Sequence, residues 1–441
     1  MIVNNRRLIV NNLSAVAQFV FGIIFAVVCA AGVIRADELH PFRALDSAAA
    51  SADLTDPADL RRLMHRAREL TLHGAARKYA RQLIALQPND AEARALVWQK
   101  SFLHEPTRQL VWLDWFEAEM WQNHRRTRDV NLGYVLHTDR ELAARGKLRL
   151  RDGEVVSVAY WDEQHAEWQQ AYEVYSRFYR LRASLPLAAV WFVADDLDRL
   201  TFAYLDYFEI ERLPSERFTT HLYRTADESA AAGADATMLK KYGAYYDPRT
   251  KILHVSFTSL GGLTAVRHEA AHALNREFVN PNPPQWFDEG VGVLCQFALP
   301  QANGDFVFGR FPRHGFGVKF VETVNAGGRE RALAVHQAPH VVTNAEYYSK
   351  FRALVAFLMD DDDRARRFAF LKTMFRRQGE IELLLQAGDF DAVWMRYVQA
   401  LRHEPDFPYL PLPHERADQM QRVLKAGTSS VLFAAPLKSA P

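Results

Sequence analysis

The stretch AVRHEAAHAL, residues 265–274, decides how this chain is read. Leu263, Ala265, Val266, Ala270, Ala271, Ala273 and Leu274 make it apolar and compatible with a helix. On an α-helix, positions i and i+4 share a face. His268 and His272 therefore present two imidazoles to one point, while Glu269 sits beside that face, placed to hold a water rather than to bind a metal. Polar groups in so apolar a helix cost free energy unless something satisfies them. The competing reading is a chance match, to which any five-residue motif is open. A third ligand separates the two, because a catalytic zinc site uses three protein ligands and leaves one position for water.

Such a ligand stands downstream. The turn NPNPP, residues 280–284, leads into QWFDEGVGVLCQF, residues 285–297, and Glu289 lies 17 residues after His272. The prolines give the chain room to turn, so a second helix can pack antiparallel to the first and aim Glu289 at the histidines. Gly290 and Gly292 permit close helix–helix approach. Glu289 also has a purely structural reading, a carboxylate near a helix N-terminus worth under about 1 kcal/mol. Both roles can hold at once.

HEAAH followed by PPQWFDEGVGVL resembles the gluzincin metallopeptidases, whose pattern is H-E-x-x-H and then a helix bearing W-x-x-E-G-x-A. The segment GAYYDPRTKILHVSF, residues 243–257, resembles the sheet edge that runs beside the substrate in that clan. A second sharp region, YYSKFRALVAFL at 347–358, resembles the Y-x-K-G-x-A-L-x-x-x-L helix of aminopeptidase-N-like gluzincins. The likeness spans roughly residues 130–400, is sharp over 264–297 and 344–358, and extends to bacterial peptidase-MA-like proteins of unassigned substrate.

The resemblance implies an α+β, zincin-like fold, a Zn2+ ion on His268, His272 and Glu289, and a peptide or protein substrate. It implies Glu269 as general base and Tyr348, 59 residues after Glu289, as hydrogen-bond donor to the oxyanion. Tyr347 is the lesser candidate, and both tyrosines also read as amphipathic packing residues. Two departures matter. The Gly-x-Met-x-Asn signature of aminopeptidases is absent, so exopeptidase activity is not implied. The acidic residue that thermolysin-like enzymes carry four positions after the ligand glutamate is Val293 here. Orientation of the histidines then falls to Asp288 or to backbone carbonyls, with Asp288 reading equally as a helix N-cap.

The rest of the 441 residues frames this core. A net charge of +1 excludes a strong field toward nucleic acid or acidic lipid. Of two cysteines, Cys29 lies in the N-terminal apolar stretch, which leaves Cys295 with no disulfide partner and excludes a thiolate metal site. Arg6 and Arg7 precede an apolar run over 13–34, and small residues follow to Ala36. Residues 1–36 thus read as a secretory signal or as an uncleaved membrane anchor, and either places the chain outside the cytoplasm, secreted or periplasmic.

Residues 37–55 read as a linker, 56–125 as a helical hairpin region resembling a tetratricopeptide unit and able to bind a protein partner, 126–403 as the metallopeptidase domain, and 404–441 as a proline-rich tail. About one and a half units are visible where such arrays need three, so the alternative is a hairpin packed on the main domain. Within the domain the pattern predicts a hairpin around Asp152-Gly153, a helix over 162–181, a strand over 188–194, a helix over 196–207, a strand over 218–225, a helix over 226–241 and a strand over 251–257. An aromatic helix is predicted over 110–121. Cys295 and His254 read as core or strand residues, His314 as surface loop, and Asp360 to Asp363 as a helix junction.

Three functions remain open from sequence: an extracytoplasmic zinc peptidase, a non-catalytic scaffold that keeps a gluzincin fold, and a metal-dependent hydrolase of a non-peptide amide.

Overall fold

The computed structural model describes residues 41–104, 109–124, 126–129, 133–150, 152–257, 262–300, 306–308, 332–336, 345–360, 364–376, 380–386 and 390–401. The apolar run at 13–34, Cys29, His314, Asp361 to Asp363 and the tail at 404–441 lie outside them. Among the described residues, no helix is long and apolar enough to cross a membrane.

Helix α1, Pro41–Ala50, occupies the stretch expected to be linker, and it buries Phe42 and Leu45. Helix α2, Pro57–Glu69, starts where Asp56 accepts the Ala58 N–H and Pro57 supplies a preset φ. It buries Leu60, Leu63, Met64 and Ala67, one helical stripe. Helix α3, His73–Leu86, folds back on it, and α4, Ala91–Leu96, is capped by Asp90. The chain then leaves helical structure. Strands β1, Gln99–His104, and β2, Gln109–Asp114, pair antiparallel, and only Trp115–His124 is helical, as α5. The aromatic helix expected over 110–121 therefore begins late, because LVWLD is β-prone and has a partner strand.

The hairpin of α2 and α3 is packed on the main body. Glu209 accepts the N–H groups of Gly74 and, at 3.2 Å, Ala75, satisfying donors that the first turn of α3 leaves open. Arg77 pairs with Asp206 and donates to the carbonyls of Leu205 at 3.1 Å and Ile210 at 2.9 Å. A Cβ on Gly74 would lie 2.0 Å from the Asp206 carbonyl oxygen, so only glycine fits this junction.

Two small hairpins follow. Strands β3, Arg126–Asp129, and β4, Gly133–Leu136, form one; after α6, Arg140–Ala144, strands β5, Lys147–Arg149, and β6, Val155–Ser157, form the other. The second turns at Gly153, whose φ of +94° suits glycine, as Asp152-Gly153 predicted.

The expected helix over 162–181 is corrected. Helix α7 covers Val158–Gln164, and the remainder forms strands β7, Tyr172–Tyr175, and β8, Tyr179–Ala183. Tyr172, Val174, Tyr179, Leu181 and Ala183 are buried in alternation, a period of two that outweighs the helical reading. The expected strand over 188–194 is instead the first half of α8, Leu187–Tyr207. An apolar run buried on nearly every side has no period to distinguish strand from helix. The expected helix over 226–241 is two pieces, α9, Glu228–Ala231, and α10, Ala236–Tyr242, divided at Gly233.

With β9, Phe218–Tyr223, β10, Ala244–Asp247, and β11, Ile252–Ser256, these strands build one five-stranded sheet in the order β10-β11-β9-β8-β7. Strand β9 runs parallel to both neighbours, and the outer pairs are antiparallel. Strands β10 and β7 are its edges; β11, the strand of ILHVSF, lies between β10 and β9.

One sheet face packs on α8 and on two further helices, α11, Gly262–Phe278, and α12, Gln285–Gln296. Leu181, Leu222, Leu253 and Val255 meet Val193, Leu197, Val266, Ala270, Leu274, Phe287 and Val291 in a single core. Inside it, Arg267 holds Asp196 through two hydrogen bonds of 2.6 and 2.7 Å, tying α11 to α8. Strands β12, Leu299–Pro300, and β13, Phe306–Val307, pair, and helices α13, Ala332–His336, α14, Ala345–Leu358, α15, Arg364–Arg376, α16, Ile381–Leu385, and α17, Phe390–Ala400, complete the described chain. The architecture is α+β. Cys295 is buried, as expected.

Candidate metal centre

Helix α11 turns its apolar residues to the core and leaves His268, Glu269 and His272 together at the boundary. The two imidazole centroids are 4.9 Å apart. Donor atoms of His268, Glu269 and His272 all lie within 4.8 Å of one another, so the group can hold a metal ion.

Glu289 joins them from α12. Its Oε2 is 3.2 Å from His268 Nε2 and 3.9 Å from His272 Nε2. Tetrahedral zinc with nitrogen and oxygen ligands near 2.0–2.1 Å separates its ligand atoms by about 3.4 Å. The two gaps bracket that spacing, and two imidazoles with a carboxylate are a donor set suited to a divalent ion. Gly292 makes room for the His268 ring: a Cβ there would lie 2.8 Å from Cε1 and Nε2 of His268.

Gly290 serves another contact. A Cβ there would meet the Phe351 carbonyl oxygen at 2.6 Å, so this glycine lets α14 close on α12. The approach expected between the first two helices is thus divided: Gly290 faces α14, and Gly292 faces a side chain of α11. The packing of α14 brings Tyr348 in. Its ring is half-buried and stands edge-on to His268 with centroids 6.2 Å apart. The side chain of Tyr347 lies outside the described residues.

Other contacts come from residues the motif did not name. Asp288 Oδ1 lies 2.9 Å from His272 Nδ1. The same carboxylate accepts Asn275 Nδ2 at 2.8 Å and an Arg276 guanidinium nitrogen at 2.9 Å. Asn275 in turn accepts the Tyr204 hydroxyl at 2.8 Å. Gln296 Oε1 lies 3.3 Å from His268 Nδ1. Asp288 is not a helix cap, because α12 begins at Gln285 with Pro284 before it. Glu269 Oε2 accepts the backbone N–H of Tyr246 at 2.8 Å, which ties it to edge strand β10.

Burial raises the Glu269 carboxyl above its ordinary value, against the pull of His272 and His268. Burial acts to lower His272, but Asp288 and Glu289 outweigh it and push that imidazole up to about 10. Burial likewise opposes ionisation of Glu289, yet the contact with His268 holds it below its usual range. Burial, with the charges of Glu289 and Glu269, raises the Tyr348 phenol.

Helical spacing could have flagged Gln296, since 292 and 296 share a face of α12, and Asn275 and Arg276, three and four positions after His272. Nothing in the sequence pointed to Tyr204 or Tyr246, whose partners are 71 and 23 residues away. A scan of protein-family models and a search of curated proteins find no match to the chain.

Proposed function

We propose that the protein is a zinc-dependent peptidase of gluzincin type with a zincin-like fold, acting outside the cytoplasm as the basic and apolar N-terminus suggests. The observation that carries this reading is the convergence of His268 Nε2, His272 Nε2 and Glu289 Oε2 from two helices. These three residues would hold the ion. Zinc, when bound, supplies Lewis acidity toward the peptide carbonyl and lowers the pKa of a water to about 7.

The chain's own residues do the rest. Glu269, fixed by the Tyr246 N–H, takes a proton from the attacking water and delivers it to the leaving amine. Tyr348 donates to the oxyanion as the carbonyl becomes tetrahedral; a phenol kept protonated by burial can do so. Edge strand β10 is the element beside the site on which an extended substrate can align.

Elemental analysis of the purified full-length chain tests the reading directly. About one zinc per chain is expected, lost in Glu289→Gln. Glu269→Gln is expected to keep the zinc and lose hydrolysis of an unfolded protein such as casein. A wild-type chain without stoichiometric zinc overturns the proposal. Zinc uptake with no hydrolysis of any protein or peptide points instead to a scaffold or to a non-peptide amide substrate.

A further inference from the structure

Helix α12 carries more than the third ligand. Positions 288, 292 and 296 are four apart, so Asp288, Gly292 and Gln296 share one face, with Glu289 beside them. That face meets α11. Gly292 leaves room for the His268 ring, Asp288 Oδ1 stands 2.9 Å from His272 Nδ1 as a charge contact outside hydrogen-bond alignment, and Gln296 Oε1 lies within hydrogen-bond distance of His268 Nδ1 at 3.3 Å.

An imidazole that offers Nε2 to a metal carries its proton on Nδ1, and the acceptor at Nδ1 fixes both tautomer and ring plane. We propose that α12 sets the orientation of both histidines, Asp288 acting on His272 and Gln296 on His268, in place of an acidic side chain at position 293. Both are positioning residues, and the inference rests on the zinc reading above.

The two partners are unequal. Asp288 is a carboxylate held from two sides: Asn275 donates to Oδ1, Arg276 donates to Oδ2, and the Tyr204 hydroxyl steadies Asn275 from α8. Gln296 is neutral, more distant and at the end of its helix. Asp288 acts on His272 through its charge, and Gln296 acts on His268 through a hydrogen bond. Arg276 balances the third negative charge, which Asp288 adds to those of Glu269 and Glu289, so the site with a divalent ion is close to neutral.

The test uses the full-length chain, stripped of metal and titrated with Zn2+ against a chromogenic chelator, together with visible spectra after loading with Co2+. Asp288→Asn is expected to weaken zinc binding by about 10- to 100-fold and Gln296→Leu by about tenfold or less. Each is expected to shift the Co2+ bands, which report ligand geometry and do not respond to a change in fold stability alone. If both variants bind zinc within twofold of wild type with unaltered Co2+ spectra, the inference is overturned while the zinc reading stands. If wild type takes up no zinc, the zinc reading fails and this inference with it. Should Asp288→Asn not fold by circular dichroism, Gln296→Leu decides, because its side chain is only half-buried at the helix end.

Discussion

Gly292→Ala removes no ligand, no charge and no hydrogen bond, yet it is expected to abolish tight metal binding. The added methyl would stand 2.8 Å from Cε1 and Nε2 of His268 and 3.1 Å from Cδ2. Carbon atoms in contact settle near 3.5–4.0 Å, so the ring must retreat by roughly 0.7–1.2 Å. Metal–ligand distances tolerate only about ±0.2 Å. On the proposed zinc reading His268 then leaves the coordination sphere, and zinc affinity should fall by more than the roughly 100-fold upper range for loss of an outer-shell partner. The fold should barely respond. A side chain that can rotate absorbs the clash, and the gain of about 1 kcal/mol in helix propensity from Gly to Ala offsets the strain.

Gly290→Ala makes the contrast. Its methyl would meet the backbone oxygen of Phe351 at 2.6 Å, and backbone cannot rotate away. That variant should lose about 1–3 kcal/mol of stability with or without metal. The assay pairs zinc competition titration with urea unfolding in the presence and absence of chelator. Wild-type zinc affinity in Gly292→Ala would refute the assignment of His268 as a ligand in the observed ring position. Equal stability losses in the two variants would refute the division of labour between the glycines.

Three further outcomes are expected. Asp196→Ala strands the buried Arg267 guanidinium, which otherwise makes two short hydrogen bonds to that carboxylate, and should cost about 3–5 kcal/mol in urea unfolding. Tyr348→Phe should reduce hydrolysis by about 100- to 1,000-fold with zinc content unchanged, whereas a packing role alone would leave turnover near wild type. Glu209 offers a pH test. Burial lifts its carboxyl from 4.5 to about 7, so the folded state holds the proton more tightly than the unfolded chain. The stability this confers is full below about pH 4.5, is lost as pH rises through 7, and amounts to at most about 3 kcal/mol. Glu209→Gln should flatten that part of the unfolding profile, and an unchanged slope between pH 5 and pH 8 in the variant (roughly the span of the titration) would count against it.

Legibility followed the range of the interaction. Over 262–296 the helical period and the proline turn were enough to predict two helices bearing His268, His272 and Glu289, because i, i+4 spacing acts within a few residues. The Asp152-Gly153 hairpin was legible for the same reason. Where a segment is buried on several sides the period vanishes, and 188–194 became helix instead of strand. The half of 162–181 that pairs across the sheet took its conformation from partner strands, which local sequence does not show.

What the sequence determined by itself was the chemistry on offer: two imidazoles and a carboxylate at helical spacing, with a second carboxylate and a phenol on helices downstream. Tertiary structure decided which of these meet and what holds them. It assigned Gly290 to α14 and Gly292 to a histidine, chose position for Asp288 over capping, and gave Glu269 an anchor on edge strand β10. Each of those depends on close contact between elements distant in sequence, where a difference of one ångström decides whether a side chain touches its partner, and no local pattern encodes it.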